Sequence, residues 1–368
     1  MYKTTGQNNS RIEVADALRG LAVAGIILFH SVEHFNTFAR EIKYTLTCDG
    51  IVFNVLQALL SGKMYGIFAV LFGLSFFIMR DNQEQKGKDF SLRFAWRMVL
   101  LFLFGVINVC FYDGDILITY AILGLLLIPA GYLDNKWLWA ITILLLIQPM
   151  EIYSHLFGWH PDSQWVNMGY FKLMQGHDTF LHSATTNLKY GITTTLGWFW
   201  FHGRITQTLG LFYLGLLIGR TRLFYNEGDN MKKWRIILIV SAILVAAGAF
   251  TKFGKWDDLL HPIWNLAILM VILSLGVLLW YRFKGVRNVF GKLGFFGRMS
   301  LTNYLLQSVL GSLLFYQWGF SLYNTLGTTW SALVGSGMII FQYSILKLWS
   351  RNHQRGPLED LWRRLTWI

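Results

Sequence analysis

The chain has 368 residues, 54% of them hydrophobic and only 14% charged, against about 25% charged in an average soluble domain. Its net charge of +12 sits in short clusters between long apolar runs. That layout excludes a soluble nucleic-acid binder and fits basic loops beside a lipid-embedded bundle.

A helix needs roughly 20 apolar residues to cross the hydrocarbon core. Ten apolar runs predict ten such helices. In chain order they are 15–35, 58–79, 94–110, 116–132, 137–152, 205–218, 236–250, 263–281, 295–316 and 331–348. Several are short, so their ends extend into the flanking polar sequence. The first run contains Arg19 and ends without a small-x-small cleavage site, so it is expected to stay as a helix. Residues 1–368 read as a single transmembrane domain with mean hydropathy +0.42.

Lys and Arg alternate loop by loop. With the N-terminus inside, cytoplasmic connections hold 23 of them and outer connections 7, and Arg19 and Lys63 lie within helices. The positive-inside rule then sets both termini in the cytoplasm. The expected fold is all-α: a polytopic transmembrane bundle of about ten helices in the inner (plasma) membrane. The longest outer segment, about 151–204, carries five of the nine His and many aromatics, including Trp159, Trp165, Tyr170, Trp198 and Trp200. That segment either holds an acceptor or forms an interfacial aromatic belt. A C-terminal amphipathic helix is predicted at about 356–367. Pro357 suits its first turn, and Leu358, Leu361, Trp362 and Leu365 form a face directed at lipid headgroups.

Ionisable residues inside a membrane are costly and mark functional candidates. The first helix holds Asp16, Arg19, His30, Glu33 and His34. At about 100° per residue all five fall within an arc of roughly 100°. Arg19 and His30 are about 16 Å apart along the axis, so one lies in the cytoplasmic half and the other in the outer half. The guanidinium fork suits phosphate or carboxylate, and imidazole exchanges protons near neutral pH. The alternative is a structural Asp16–Arg19 salt bridge with His30 and His34 merely interfacial.

Other polar residues admit two readings each. Lys63 either stabilises an oxyanion, level with His30, or snorkels to the headgroups. Asp115 either orients His30 or is a solvated loop carboxylate. Ser300, Asn303 and Gln307 share one face of the ninth helix. They line a donor path or join helices by hydrogen bonds. The outer His residues, His155, His160, His177, His182 and His202, lack metal-ligand spacing, so no metal is expected. Cys48 and Cys110 form no framework, although a single bridge between them stays open.

The run Asp16-Ala-Leu-Arg-Gly-Leu-Ala-Val-Ala-Gly-Ile-Ile-Leu-Phe-His30 resembles the first helix of the membrane acyltransferase-3 family, which carries Arg, ten residues, then His. Over most of its length the chain resembles more closely the YeiB-like bacterial membrane family, domain of unknown function 418. The motifs are Lys63-Met-Tyr-Gly-Ile-Phe-Ala-Val-Leu-Phe-Gly73, Gly114-Asp-Ile-Leu117 with Tyr120-Ala121, Gly297-Arg-Met-Ser-Leu-Thr-Asn-Tyr-Leu-Leu-Gln307, and Gly356-Pro-Leu-Glu359 with Leu361-Trp-Arg363. YeiB-like proteins resemble the heparan-glucosaminide N-acetyltransferase and acyltransferase-3 groups, although they often carry Asn at the position of His30.

The resemblance implies an acyltransferase with no covalently bound cofactor. It would use acyl-CoA, such as acetyl-CoA, from the cytoplasm, and an envelope glycan or lipid as acceptor. His30 would be the general base, with Asp115 or Glu33 orienting it. Arg19, Lys63, His34, Ser300, Asn303 and Gln307 would bind donor or substrate. The runner-up is a transporter or lipid flippase using the same polar pathway, and a third reading is a non-catalytic scaffold. Expected partners are the bilayer, the donor and the acceptor, without nucleic acid; a homo-oligomer stays open.

Overall fold

The computed structural model describes residues 11–33, 35, 45–157, 178–250, 257–323 and 325–367. His34 lies outside them, as do Trp159, His160, Trp165, Tyr170 and His177 of the outer segment, and Lys252 and Lys255. Among the described residues there are helices and no strand. In chain order they are α1 (Glu13–Val32), α2 (Asp49–Leu60), α3 (Lys63–Glu84), α4 (Ser91–Val109), α5 (Leu117–Gly124), α6 (Leu127–Ala130), α7 (Asn135–Leu146) and α8 (Pro149–Phe157). Next come α9 (Phe180–Thr186), a π-turn at Asn187–Gly191, α10 (Ile192–Phe201), α11 (Arg204–Arg220), α12 (Asn230–Phe250) and α13 (Asp257–Arg282). The last five are α14 (Lys284–Phe290), α15 (Gly294–Arg298), α16 (Ser300–Phe315), α17 (Thr328–Trp349) and α18 (Pro357–Thr366).

Among the described residues, five stretches are long and apolar enough to cross a membrane: Glu13–Val32, Asp49–Glu84, Ser91–Val109, Ile263–Arg282 and Thr328–Trp349. On these and on α12, large apolar side chains also face outward. Leu103 and Ile107 on α4, Ile239 and Ile243 on α12, and Ile340 and Phe341 on α17 are all exposed. Water would penalise such faces, whereas lipid does not. The molecule is an all-helical membrane protein.

Three predicted helices are interrupted, each for a local backbone reason. The second run breaks at Ser61–Gly62, where Gly62 adopts φ +72° and a new helix starts. The fourth breaks after Gly124, one turn before Pro129, whose ring blocks the preceding turn. The fifth breaks at Gln148 (φ +61°), because the residue before Pro149 is barred from the helical region. Pro149 then opens α8, where its missing N–H is harmless.

The core is set by close backbone approach. α3 and α11 cross at Gly73 and Gly215, where a Cβ on Gly73 would run into the Phe212 carbonyl and one on Gly215 into that of Val70. α1 lies against α3, α15 and α17. α11 is buried along most of its length, from Gln207 to Arg220.

α18 lies against α4 and α16. Leu358 and Trp362 pack on the main core, so this part of its apolar face turns into the protein and not to headgroups; Leu361 is exposed. Cys48 and Cys110 are free thiols.

Candidate functional site

A chamber of about 940 Å³ opens at one end of the bundle. Its walls come from α1 (Arg19), the C-terminal half of α3 (Ser75, Met79, Asn82), the first turns of α4 and α16, and the returning tail (Gln354, Arg355, Glu359, Trp362). Six arginines line it, namely Arg11, Arg19, Arg97, Arg298, Arg355 and Arg363, against one carboxylate, Glu359. The balance favours an anionic guest.

Arg19 is fixed on two sides. NH1 donates to Asp16 at 3.4 Å and NH2 to the Ser75 hydroxyl at 2.9 Å. Arg11 also binds Asp16, at 2.8 Å. The Asp16–Arg19 bridge of the structural reading is therefore present, and Asp16, which does not itself line the chamber, offsets part of the charge of Arg11 and Arg19.

Arg97 stacks on Trp362, 4.0 Å from the ring centroid, and donates from NH1 to Thr366 Oγ1 at 3.3 Å. Its Nε is buried without a hydrogen-bond partner. A guanidinium stacked and half-bonded in this way retains a donor for a ligand oxygen. Trp362 Nε1 donates to the Arg97 carbonyl, fastening the tail across the chamber. Glu359 accepts from Leu301 N, Thr302 N and Thr302 Oγ1. Burial pushes its carboxyl above the usual range, and these hydrogen bonds work the other way.

His30 is not among the residues lining this chamber, so Arg19 and His30 share a helix face without bordering one cavity. His30 Nδ1 faces Gln307 Nε2 at 3.3 Å, and the ring packs 5.1 Å from that of Tyr112. Glu33 caps the end of α1 through its backbone N–H to Phe29.

Asp115 does not orient His30. Its carboxylate accepts from Asn108 Nδ2 at 2.8 Å and from the Ile118 N–H at 2.9 Å, so it ties α4 to the start of α5. The three polar residues of α16 also separate. Ser300 lines the chamber, whereas Asn303 donates to the Phe296 carbonyl at 3.0 Å and Gln307 reaches His30. With its amide turned to satisfy both partners, Gln342 of α17 bonds Asn303 Oδ1 at 3.0 Å. Asn303 is thus a joint between helices. Lys63 is buried at the start of α3, beside Met64, whose Cγ would lie 2.6 Å from a Cβ on Gly25. It is therefore level with Gly25, five residues before His30.

Arg97, Arg298, Arg355, Arg363, Glu359 and Trp362 are missed by the sequence reading. Arg298 and Arg363 stand inside the quoted motifs, and for Arg97 and Arg355 the signal is their place among the charges counted as cytoplasmic. Trp362 and Glu359 stand in the C-terminal motif, where a lone amphipathic helix explains them equally well. Among the described residues no group of His, Cys, Asp and Glu could hold a metal ion.

Apolar helices of membrane-crossing length, closed at one end around a basic chamber, define an all-helical membrane protein with a built site. Residues 218–368 match the family described as protein of unknown function (DUF418). The chain is 27% identical to the uncharacterized protein YxaH of Bacillus subtilis, covering 98% of this chain and 95% of the relative. It is 24% identical to an uncharacterized 39.9 kDa protein of Bacillus acidopullulyticus, covering 98% and 94%. It is also 24% identical to the uncharacterized protein YeiB of Escherichia coli, covering 95% of each. The C-terminal part of the chain thus resembles the DUF418 family, and nearly the whole chain is similar to these uncharacterized proteins. No solved structure matches it.

Proposed function

We propose that the protein is a multi-pass acyltransferase of the inner membrane that takes an acyl group, such as acetyl, from cytoplasmic acyl-CoA. The acceptor is a hydroxyl or amine on an envelope glycan or lipid. The observation that carries this reading is the chamber, with six arginines to one carboxylate in about 940 Å³. The donor's diphosphate and 3′-phosphate need several fixed cations, and planar forks bind phosphate best.

Ten crossings with both termini inside follow from the alternation of basic loops, 23 against 7. In that orientation the chamber faces the cytoplasm, because Phe90 just before α4, Arg298 at the end of α15, and Gln354 and Arg355 of the tail line it. Arg19 and Arg97 hold donor phosphate, and Trp362 offers a ring beside them. His30 lies about 16 Å further along α1, a span of the kind a pantetheine arm bridges. The chamber's inner wall carries Tyr120 and Tyr304, so the arm passes between these rings.

His30 takes the proton from the acceptor hydroxyl as its oxygen attacks the thioester carbonyl. The C–S bond breaks, and the CoA sulfur leaves and takes up the proton. Gln307 orients the imidazole with its amide turned so that Oε1 accepts the His30 Nδ1–H, which leaves Nε2 to take the acceptor proton.

The test is acetyl-CoA binding and turnover by the purified protein. Saturable binding with release of free CoA, accelerated by added glycan or lipid acceptor, is the expected result. Binding without any turnover makes the chamber a transport vestibule, and absence of binding removes the donor assignment.

A further inference from the structure

A second cationic pair lies away from the chamber. Lys63 is the first residue of α3 and Arg204 the first of α11. Each helix starts behind a glycine in the left-handed region, Gly62 at φ +72° and Gly203 at φ +61°, and neither start has a side-chain cap. The first-turn N–H groups of both helices therefore lack a side-chain acceptor, and both positive dipole ends point the same way out of the packed pair. A cation at such a position is the unfavourable choice, because the dipole favours anions there.

The two starts meet. Arg204 NH1 and NH2 lie 3.7 and 3.9 Å from the place a Cβ on Gly62 would occupy. Arg204 NH1 donates to Gln207 Oε1 at 2.7 Å and to Tyr65 OH at 3.3 Å, and both acceptors are neutral. Lys63 is only 3% exposed, and the bond its Nζ makes is a 3.4 Å contact to the Gln57 carbonyl. Among the described residues no carboxylate pairs with either cation, and the two repel one another. Buried charges are retained where a counter-charge meets them. Here two side-chain cations and two helix N-termini converge with none.

We propose that Lys63, Arg204 and the N-termini of α3 and α11 form a binding site for a phosphate group, carried by an anionic lipid headgroup or by a soluble phosphate compound. Two full charges and two dipole ends match a phosphate better than a single carboxylate. Trp198, whose ring centroid is 5.9 Å from the Arg204 guanidinium, and the exposed Trp200 place the site beside aromatics typical of a membrane interface. Arg19 and Ser75 lie towards the other end of α1 and α3, so this site is separate from the chamber. The proposal holds whether or not the chain transfers acyl groups.

The test uses the full chain, delipidated in a neutral detergent. Its unfolding temperature is followed against inorganic phosphate and, separately, against phosphatidylglycerol, with phosphatidylcholine as the neutral control. A saturable rise with phosphatidylglycerol alone identifies a lipid source; a rise with inorganic phosphate identifies a soluble one. Either supports the site, provided that Lys63→Gln and Arg204→Gln weaken the apparent affinity about tenfold or more, and Arg204→Lys less. If neither probe shifts the unaltered protein, or the Gln variants respond as it does, the proposal falls. Should the Gln variants fail to fold, native mass spectrometry of the unaltered chain decides: bound phosphatidylglycerol or phosphate in excess over phosphatidylcholine supports the site, and no excess overturns it.

Discussion

Thr302 and Glu359 stand 57 residues apart, yet the Thr302 hydroxyl donates to the Glu359 carboxylate at 2.6 Å and the Thr302 N–H donates to it at 3.0 Å. The Leu301 N–H adds a third bond at 2.7 Å. Glu359 therefore satisfies the otherwise open first turn of α16, which has no side-chain cap of its own. The same contacts hold α18 in place as a wall of the basic chamber. One carboxylate ties the tail to the site.

That tie titrates. Burial raises the Glu359 carboxyl above its ordinary value. A carboxyl raised on folding contributes its full stability below the unfolded pKa, about 4.3 for Glu, and loses it as pH climbs through the raised value. The unfolding temperature is expected to fall more steeply as pH rises above the ordinary Glu value, about 4.3, in the unaltered protein than in Glu359→Gln, which cannot ionise. Thermal unfolding of both proteins across this range checks the point. Equal slopes would assign the titration to another group.

The α3–α11 crossing gives a packing prediction. A methyl group on Gly215 would meet the Val70 carbonyl, which belongs to a helix backbone and cannot swing away. Gly215→Ala is expected to destabilise by about 1–3 kcal/mol. Gly337 on α17 has nothing near a Cβ, so Gly337→Ala is expected to be neutral or stabilising by up to about 1 kcal/mol. Unfolding in mixed detergent, measured for both variants, compares them. Equal losses would mean that close approach does not set the crossing.

Hydropathy read most helices to within a few residues, because burial in lipid demands long apolar runs whatever the packing. It missed the breaks at Gly62, Gln148 and Gly124. Such breaks leave the apolar run intact and show only as Ser61-Gly62, Pro149 or Pro129. Arg19 was legible as a lone cation in an apolar helix. Arg97, Arg363 and Glu359 were not, because each looks like an ordinary loop or tail charge until the C-terminus folds back over α4 and α16. Helical periodicity placed Gln307 and Asn303 on one face of α16. It could not say that one meets His30 and the other the Phe296 carbonyl, since that depends on where α1, α15 and α17 cross.

Asn303 follows from this distinction. Its amide donates to the Phe296 carbonyl and meets Gln342, deep between helices. Asn303→Leu is expected to cost about 1–3 kcal/mol, because partners are left unsatisfied, while acyl-CoA affinity stays unchanged. Stability and donor binding measured on the same preparation decide between a joint and a donor path. A loss of affinity at unchanged stability would return Asn303 to the path.

Arg19 and His30 test the catalytic reading from opposite ends of α1. Arg19 spans Asp16 and Ser75 with two nitrogens of one fork while lining the chamber. Lysine has a single ammonium and cannot reproduce that span. Arg19→Lys should therefore weaken acetyl-CoA binding more than it slows the chemical step. His30 lies outside the chamber, so His30→Ala should leave donor affinity intact and lower single-turnover acyl transfer by about 10²–10⁴-fold. Gln307→Leu removes the group facing His30 Nδ1 and is expected to lower the same rate by a smaller factor without changing donor affinity. Donor affinity and single-turnover rate, measured for all three variants, separate the roles. If His30→Ala transfers at the full rate, the base is elsewhere. If His30→Ala instead unfolds while Arg19→Lys is silent, the polar stripe of α1 is structural, and the basic chamber serves a ligand that undergoes no chemistry at His30.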